Sequence, residues 1–259
     1  MPVVSYNCVG RLGNNLFQYF TAKLIGILFG HTYVTERPKN AFVINDSYYI
    51  QMCKTYGESH PYDMLRGKDI YLDGYFQYDT LLIRYRKQIL DASEKDNDVL
   101  IYKQDDLPEH LRYADIFSKN TTVTDRSVTV HLRLDDFNGH GEVIPAHYYI
   151  DLLDSMSFDT LYIVCKPPTK EWEEKYLEHF AKYAPVYRKQ TLLEDICTLS
   201  HSVRLLLSNS TLSWIIYYIN RNNIRQAFVP HTHFHSHQHL LSYREYDIVY
   251  DVKLNKHSS

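Results

Sequence analysis

Apolar and polar residues alternate most strictly along Val128-Thr129-Val130-His131-Leu132-Arg133. Val128, Val130 and Leu132 fall on one side, and Thr129, His131 and Arg133 on the other. This period of two predicts a strand over 127–133 with His131 and Arg133 together at its carboxyl end. An edge strand with a solvated polar face is the plain alternative. Downstream the pattern switches repeatedly between periods of two and 3.6. It predicts helix 147–154, strand 160–165, helix 169–183, a short strand near Val186, helix 192–200, strand 203–207, helix 212–221 and strand 226–229. Such alternation implies βαβ units on a parallel sheet, Rossmann-like in layout.

Upstream, Val3 to Asn7 reads as a strand leading into Gly10-Arg11-Leu12-Gly13-Asn14-Asn15. A helix follows, with Leu16, Phe17, Phe20, Leu24, Ile25 and Leu28 at three- and four-residue spacing, and Gly30 as its stop. Residues 36–68 are polar, aromatic and interrupted by Pro38, Gly57 and Pro61, which reads as loops with short elements. Together with residues around 138–146 they are the candidate acceptor surface. A strand over 69–73 exits through Gly74-Tyr75-Phe76-Gln77, a helix spans Tyr78 to Leu90, and Asp91 to Asp98 reads as a charged surface loop. The domain boundary is placed between Ser118 and Arg126, giving an N-terminal domain 1–122 and a C-terminal domain 123–259.

Length and charge narrow the function classes. A chain of 259 residues suits one large domain or two ordinary ones. A net charge of -3 argues against a general nucleic-acid or anionic-membrane binder. Cys8, Cys53, Cys165 and Cys197 are scattered without a C-x-x-C pair, which indicates neither a zinc knuckle nor a disulfide framework. There is no leader-like N-terminus and no run approaching the roughly 18 apolar residues of a membrane span. The expectation is a soluble cytoplasmic protein without a membrane anchor, in which the sequons at Asn45, Asn120 and Asn209 go unmodified.

The candidate chemistry is anionic. Open α/β sheets bind ligands beyond the carboxyl ends of their strands, and an arginine there is a fork for phosphate or carboxylate. Two glycines after a strand and before a helix permit close backbone approach to an anion, although the spacing is not the G-x-G-x-x-G of dinucleotide binders. Ser208-Asn209-Ser210-Thr211 opens an amphipathic helix. A helix cap and a phosphate ligand are compatible readings of its hydroxyls. Asp195 on the preceding helix reaches toward the same crevice, or serves only the helix dipole. Asp96-Asn97-Asp98 fits a surface loop better than a metal motif. His231, His233, His235, His237 and His239 alternate and on a strand would align as a metal patch, but Pro230 opens the segment like a loop, and no metal is assigned.

Four segments in order resemble one family, the glycosyltransferase family 11 α-1,2-fucosyltransferases within the wider GDP-fucose-dependent superfamily. Gly10-Arg11-Leu12-Gly13-Asn14-Asn15-Leu16-Phe17-Gln18-Tyr19 resembles its G-x-L-G-N-Q-x-F-Q-Y, and Gly74-Tyr75-Phe76-Gln77 its G-Y-F-Q. His131-Leu132-Arg133-Leu134-Asp135-Asp136 is similar to H-x-R-R-G-D, and Ser208-Asn209-Ser210-Thr211-Leu212-Ser213-Trp214 to S-N-S-T-F-S-W-W.

The resemblance implies an α/β, GT-B-like pair of Rossmann-type domains with a cleft between them, and an inverting, metal-independent transfer of fucose from GDP-fucose to a glycan hydroxyl. It also implies residue roles: Arg133 on the donor pyrophosphate, His131 lining that pocket, Arg11 and Asn14 near the phosphates, Ser210 and Thr211 at the phosphate-binding helix start, and Asp195 reading guanine. No cofactor is expected besides the donor substrate. The chain departs from the family at Leu134 and Asp135, which replace the second arginine and the glycine. It departs again at Val164-Cys165-Lys166-Pro167-Pro168, which replaces an F-S-D-D segment, and at Ile215, which replaces the second tryptophan. Glu142, Asp136, Asp135, His140 and His147 are candidate general bases. The same scaffold using another nucleotide sugar, and a non-catalytic glycan- or nucleotide-binding protein, are the alternatives.

Overall fold

In the computed structural model the described residues are 1–57, 62–95, 99–100, 111–113, 124–134, 142–187, 191–232 and 247–252. The chain divides into two compact units, the first running from Met1 to Ile116 and the second made largely of the chain from Phe117 onward. Each is α/β, built on an all-parallel sheet.

In the first unit, β1 (Val3–Tyr6), β2 (Thr32–Tyr33), β3 (Phe42–Asn45) and β4 (Ile70–Asp73) form a sheet of order β2-β1-β4-β3. Helix α1 (Leu12–Phe29) follows β1 and is buried on nearly every side, as its run of apolar and aromatic residues demands. Gly30 ends it in the left-handed conformation (φ 77°), its N–H donating to the Gly26 carbonyl at 2.9 Å. Residues 36–68, expected to be loops with short elements, contain strand β3 and a full helix, α2 (Asp46–Thr55). Only Ile44 of β3 is buried, and α2 packs through Tyr49, Met52 and Cys53, so neither shows a long apolar stripe in the sequence. Asn45, one of the sequon residues, caps α2 by accepting from the Tyr48 amide. The helix expected over 78–90 is two helices, α3 (Thr80–Arg84) and α4 (Arg86–Lys95), parted at Tyr85. The first residues of the expected charged loop at 91–98 therefore belong to α4. A two-stranded antiparallel ladder, β5 (Val99–Leu100) and β6 (Leu111–Arg112), accompanies them.

The second unit carries β7 (Ser127–His131), α5 (Ala146–Asp154), β8 (Thr160–Val164), α6 (Glu171–Glu178), β9 (Val186–Tyr187), α7 (Leu192–Ser200), β10 (Arg204–Leu206), α8 (Thr211–Asn220), β11 (Gln226–Thr232) and β12 (Ile248–Val252). The expected helix over 169–183 is α6 followed by a separate 3-10 turn at Ala181–Tyr183. The sheet order is β12-β11-β10-β7-β8-β9. Counted from β7 in chain order this is 3-2-1-4-5-6, the dinucleotide-fold arrangement, whose order reverses between β7 and β10.

β7 is therefore the centre of the sheet and buried on both faces, which excludes the edge-strand reading. Val128 and Val130 join the apolar core beside α5 and α6. Thr129, on the opposite face, meets Ser202 beyond the end of α7, with 2.7 Å between their hydroxyl oxygens. β11 runs on through Pro230, which tolerates the missing N–H because β10 ends opposite Phe228 and, among the described residues, Pro230 pairs only with β12. β12 has no counterpart in the expectation. Its Ile248 and Val249 are exposed, so its alternation is masked. The four cysteines form no disulfide, and among the described residues no helix is long and apolar enough to cross a membrane.

Candidate active site

The order reversal between β7 and β10 places the turns leaving their carboxyl ends side by side, the place where sheets of this order bind ligands. Two of the motif segments occupy those turns. His131 is the last residue of β7 and is 6% exposed. Its Nδ1 lies 2.6 Å from Ser213 Oγ and 3.3 Å from Ser208 Oγ. The two serine hydroxyls are 2.9 Å apart, and the Ser208 amide donates to Ser213 Oγ at 3.1 Å. Burial, reinforced by the nearby Arg133 cation, pushes the His131 imidazole down to about 3. A ring so placed is neutral at physiological pH and works as a hydrogen-bonding group, not as a proton acceptor.

Helix α8 begins beside it. Ser210 is its N-cap, extended at φ -98° and ψ 146°, and its hydroxyl oxygen accepts from the Leu212 and Ser213 amides. The cap uses lone pairs, so the Ser210 hydroxyl proton remains available to donate. Thr211 opens the first turn, half-buried, where the amide dipoles favour an anion. Asn209, buried between these hydroxyls, donates its side-chain amide to the main-chain carbonyl of Glu142 at 2.9 Å. The segment following β7 is thereby held against the turn following β10.

Asp195 lies in the opening turns of α7, after the capping box made by Thr191 and Glu194. Burial, and secondarily the Glu194 carboxylate, push its carboxyl up to about 7. Helix α7, which carries Asp195, packs against β8, and Cys165, the residue after β8, is pushed up to about 12 by burial and by the charges of Asp195 and Glu173. A strongly perturbed acid next to a strand end is a functional-site candidate on physical grounds.

The first unit has its own polar junction, at the carboxyl ends of β1 and β4. Gln18 donates to Gly74 O at 2.8 Å and Asn7 Oδ1 at 3.1 Å, while Asn7 donates to Asp73. Asn15 donates to the carbonyls of Gly10 and Arg11. Asn14 accepts from Gln77 at 2.9 Å. The Asp46 carboxylate accepts from the amides of Tyr75 and Phe76. Gly10 adopts φ 81°, and a Cβ there would collide with the Asn14 side-chain amide. Cys8 (φ 48°) and Phe76 (φ 56°) are left-handed without being glycine, a cost that persists where surrounding bonds fix the backbone. The other two motif segments thus interlock, with Asn14 inside the junction and Arg11 at the N-cap of α1.

Within the second unit His131, Arg133, Glu142, Ser210 and Thr211 are brought to one end of the sheet, with Asp195 beside the neighbouring strand. Asp135, Asp136 and His140 lie outside the described residues, as do Asp96-Asn97-Asp98 and the histidines from His233 to His239. His231 is in β11, and among the described residues no three histidines, cysteines, aspartates or glutamates are arranged to hold a metal. Ser208 and Ser213, both within the Ser208–Trp214 motif, are the direct partners of His131, a role the motif does not itself announce. The available signal was spacing, since Ser213 stands one turn into the helix that Ser210 caps.

No protein-family model and no curated protein matches the chain. Among solved structures it is similar to the E. coli heptosyltransferase WaaC with ADP, at 12% identity over 97% of this chain and 93% of that one, with a TM-score of 0.47. It is likewise similar to the same enzyme with ADP-2-deoxy-2-fluoro heptose, at 12% identity over 96% and 92% of the two chains, with a TM-score of 0.44.

Proposed function

We propose that the protein is an inverting glycosyltransferase that moves fucose from GDP-fucose to a glycan hydroxyl in α-1,2 linkage. The observation that carries this reading is the meeting of His131 with Ser208 and Ser213 where the strand order reverses between β7 and β10. Two separate motif segments are joined there, beside Arg133 and the start of a helix. That set suits a diphosphate: a guanidinium, a neutral imidazole able to donate, hydroxyls at a helix start and the positive end of its dipole.

In the transfer, the acceptor oxygen attacks the anomeric carbon as the bond to the β-phosphate oxygen breaks, and the diphosphate leaves with the electron pair. Arg133, His131 and the α8 N-terminus stabilise the charge that develops on it. The cationic side chain and helix dipole do this without a metal ion. Glu142, anchored near the turn after β10 by Asn209, takes the acceptor proton. Asp195, beside the end of β8, accepts from the N–H edge of guanine as a carboxylate.

The test is a thermal-shift panel of nucleoside diphosphates and nucleotide sugars, followed by donor turnover with and without candidate acceptors, repeated in EDTA. The expected result is a selective rise with GDP and GDP-fucose, and turnover insensitive to EDTA. Preference for UDP sinks the guanine assignment, and binding without turnover of any nucleotide sugar sinks the enzyme.

A further inference from the structure

His131 has one nitrogen committed and one not. Nδ1 faces Ser213 Oγ and Ser208 Oγ, and among the described residues Nε2 has no hydrogen-bond partner. The protons in this buried triad can be assigned by counting. Ser213 Oγ accepts from the Ser208 amide and lies 2.9 Å from Ser208 Oγ, where either hydroxyl can donate; in one arrangement it also accepts the Ser208 hydroxyl proton. Both of its lone pairs are then used, so its own proton goes to Nδ1, 2.6 Å away. The opposite assignment, with the proton on Nδ1, turns the Ser213 hydroxyl onto Ser208 and leaves the Ser208 hydroxyl proton with no acceptor among the described residues in a buried setting, which is disfavoured.

We propose that Ser213, inside helix α8 and 1% exposed, is a positioning residue that fixes His131 in the tautomer with its proton on Nε2 and so points that N–H at the anionic group of the ligand. The role of Nε2 as a donor to a diphosphate rests on the proposed function; the tautomer does not. A neutral donor of fixed orientation complements a phosphate oxygen without needing protonation at physiological pH. It also couples ligand geometry to α8, because the helix that opens at Ser210 and Thr211 carries, one turn on, the hydroxyl that orients the imidazole.

The experiment is nitrogen-15 histidine NMR on the full chain, free and with GDP, for wild type, Ser213→Ala and Ser213→Thr. Calorimetric titration with GDP is run on each. The expected wild-type spectrum has a bare, hydrogen-bonded Nδ1 and a protonated Nε2 that shifts when GDP binds. Ser213→Ala mixes the tautomers and weakens GDP binding roughly tenfold, the loss of about one hydrogen bond. Ser213→Thr keeps the hydroxyl and restores both. A protonated Nδ1 in wild type overturns the inference, as does a Ser213→Ala variant that keeps both tautomer and affinity. Failure of wild type to bind GDP sinks the donor reading and the Nε2 contact, and is recorded separately from the tautomer, which is read without ligand.

Discussion

The Asn209 side-chain amide donates to the Glu142 main-chain carbonyl at 2.9 Å, joining residues far apart in the chain. One is in the turn after the fourth strand of the second unit in chain order, the other in the segment after its first. Replacing Asn209 by alanine removes a partly buried bond that positions the candidate base. The expected loss is about 1–2 kcal/mol in stability, read by urea unfolding. Turnover should fall more than GDP affinity, since the bond fixes Glu142 and not the phosphates. Equal falls in both remove the case for Glu142.

Arg133→Ala is expected to reduce transfer a hundredfold or more, about 3 kcal/mol of barrier, with the protein still folded. Steady-state kinetics beside a melting curve checks this, and retained turnover refutes the role.

Asp195 and His131 give opposing pH dependences. The Asp195 carboxyl is held up to about 7, above its ordinary unfolded value, so the folded state binds the extra proton and stability falls as pH rises from about 4 to 7. The His131 imidazole is held down to about 3, so the unfolded state binds the extra proton and stability falls as pH drops from about 6.5 toward 3. Asp195→Asn should therefore raise stability at pH 8, by on the order of 1 kcal/mol, and steepen the acid-side loss. His131→Gln should flatten that loss. Melting temperatures from pH 4 to 8 for the three proteins distinguish these outcomes.

Binding adds a separate pH signature. If Asp195 meets guanine as a carboxylate, GDP affinity should weaken about tenfold per unit as pH drops below about 7, with proton release on binding at pH 6. Calorimetry in two buffers of different ionisation enthalpy measures that release. A pH-independent affinity that Asp195→Asn does not alter removes the guanine role.

Gly10→Ala tests the junction of the first unit. The substitution meets both a left-handed φ and the Asn14 side chain, so a loss of about 1–3 kcal/mol is expected, together with release of Gln77 from Asn14. Gly67→Ala, where nothing lies within 4 Å of the added carbon, serves as the control and should be near neutral.

The second unit was largely legible because its strands and helices carry apolar runs of distinct period. β8, α7 and α8 fall within a residue or two of their expected bounds. What escaped lacked that signal. Helix α2 buries only Tyr49, Met52 and Cys53, and β12 exposes Ile248 and Val249. The polar face of β7 looked solvated because Thr129 and His131 are polar, but their partners are Ser202 and Ser213, side chains that no local pattern could pair with them. At the site, the strand end, the helix start and Asp195 were visible as residue types. The serine triad around Nδ1 needed the fold.

The central place of β7 has a kinetic consequence. Thr129 pairs with Leu205 on one side, while Tyr162 of β8 closes the other. During synthesis the first of these partners emerges long after the second, so His131 waits, half-framed, until β10 and α8 are made. Pairings of such sequence separation form slowly, and the site is complete only when the last long-range closure is. A truncated or kinetically trapped chain that has gained β8 but not β10 would hold a shaped strand with no anion site at its end.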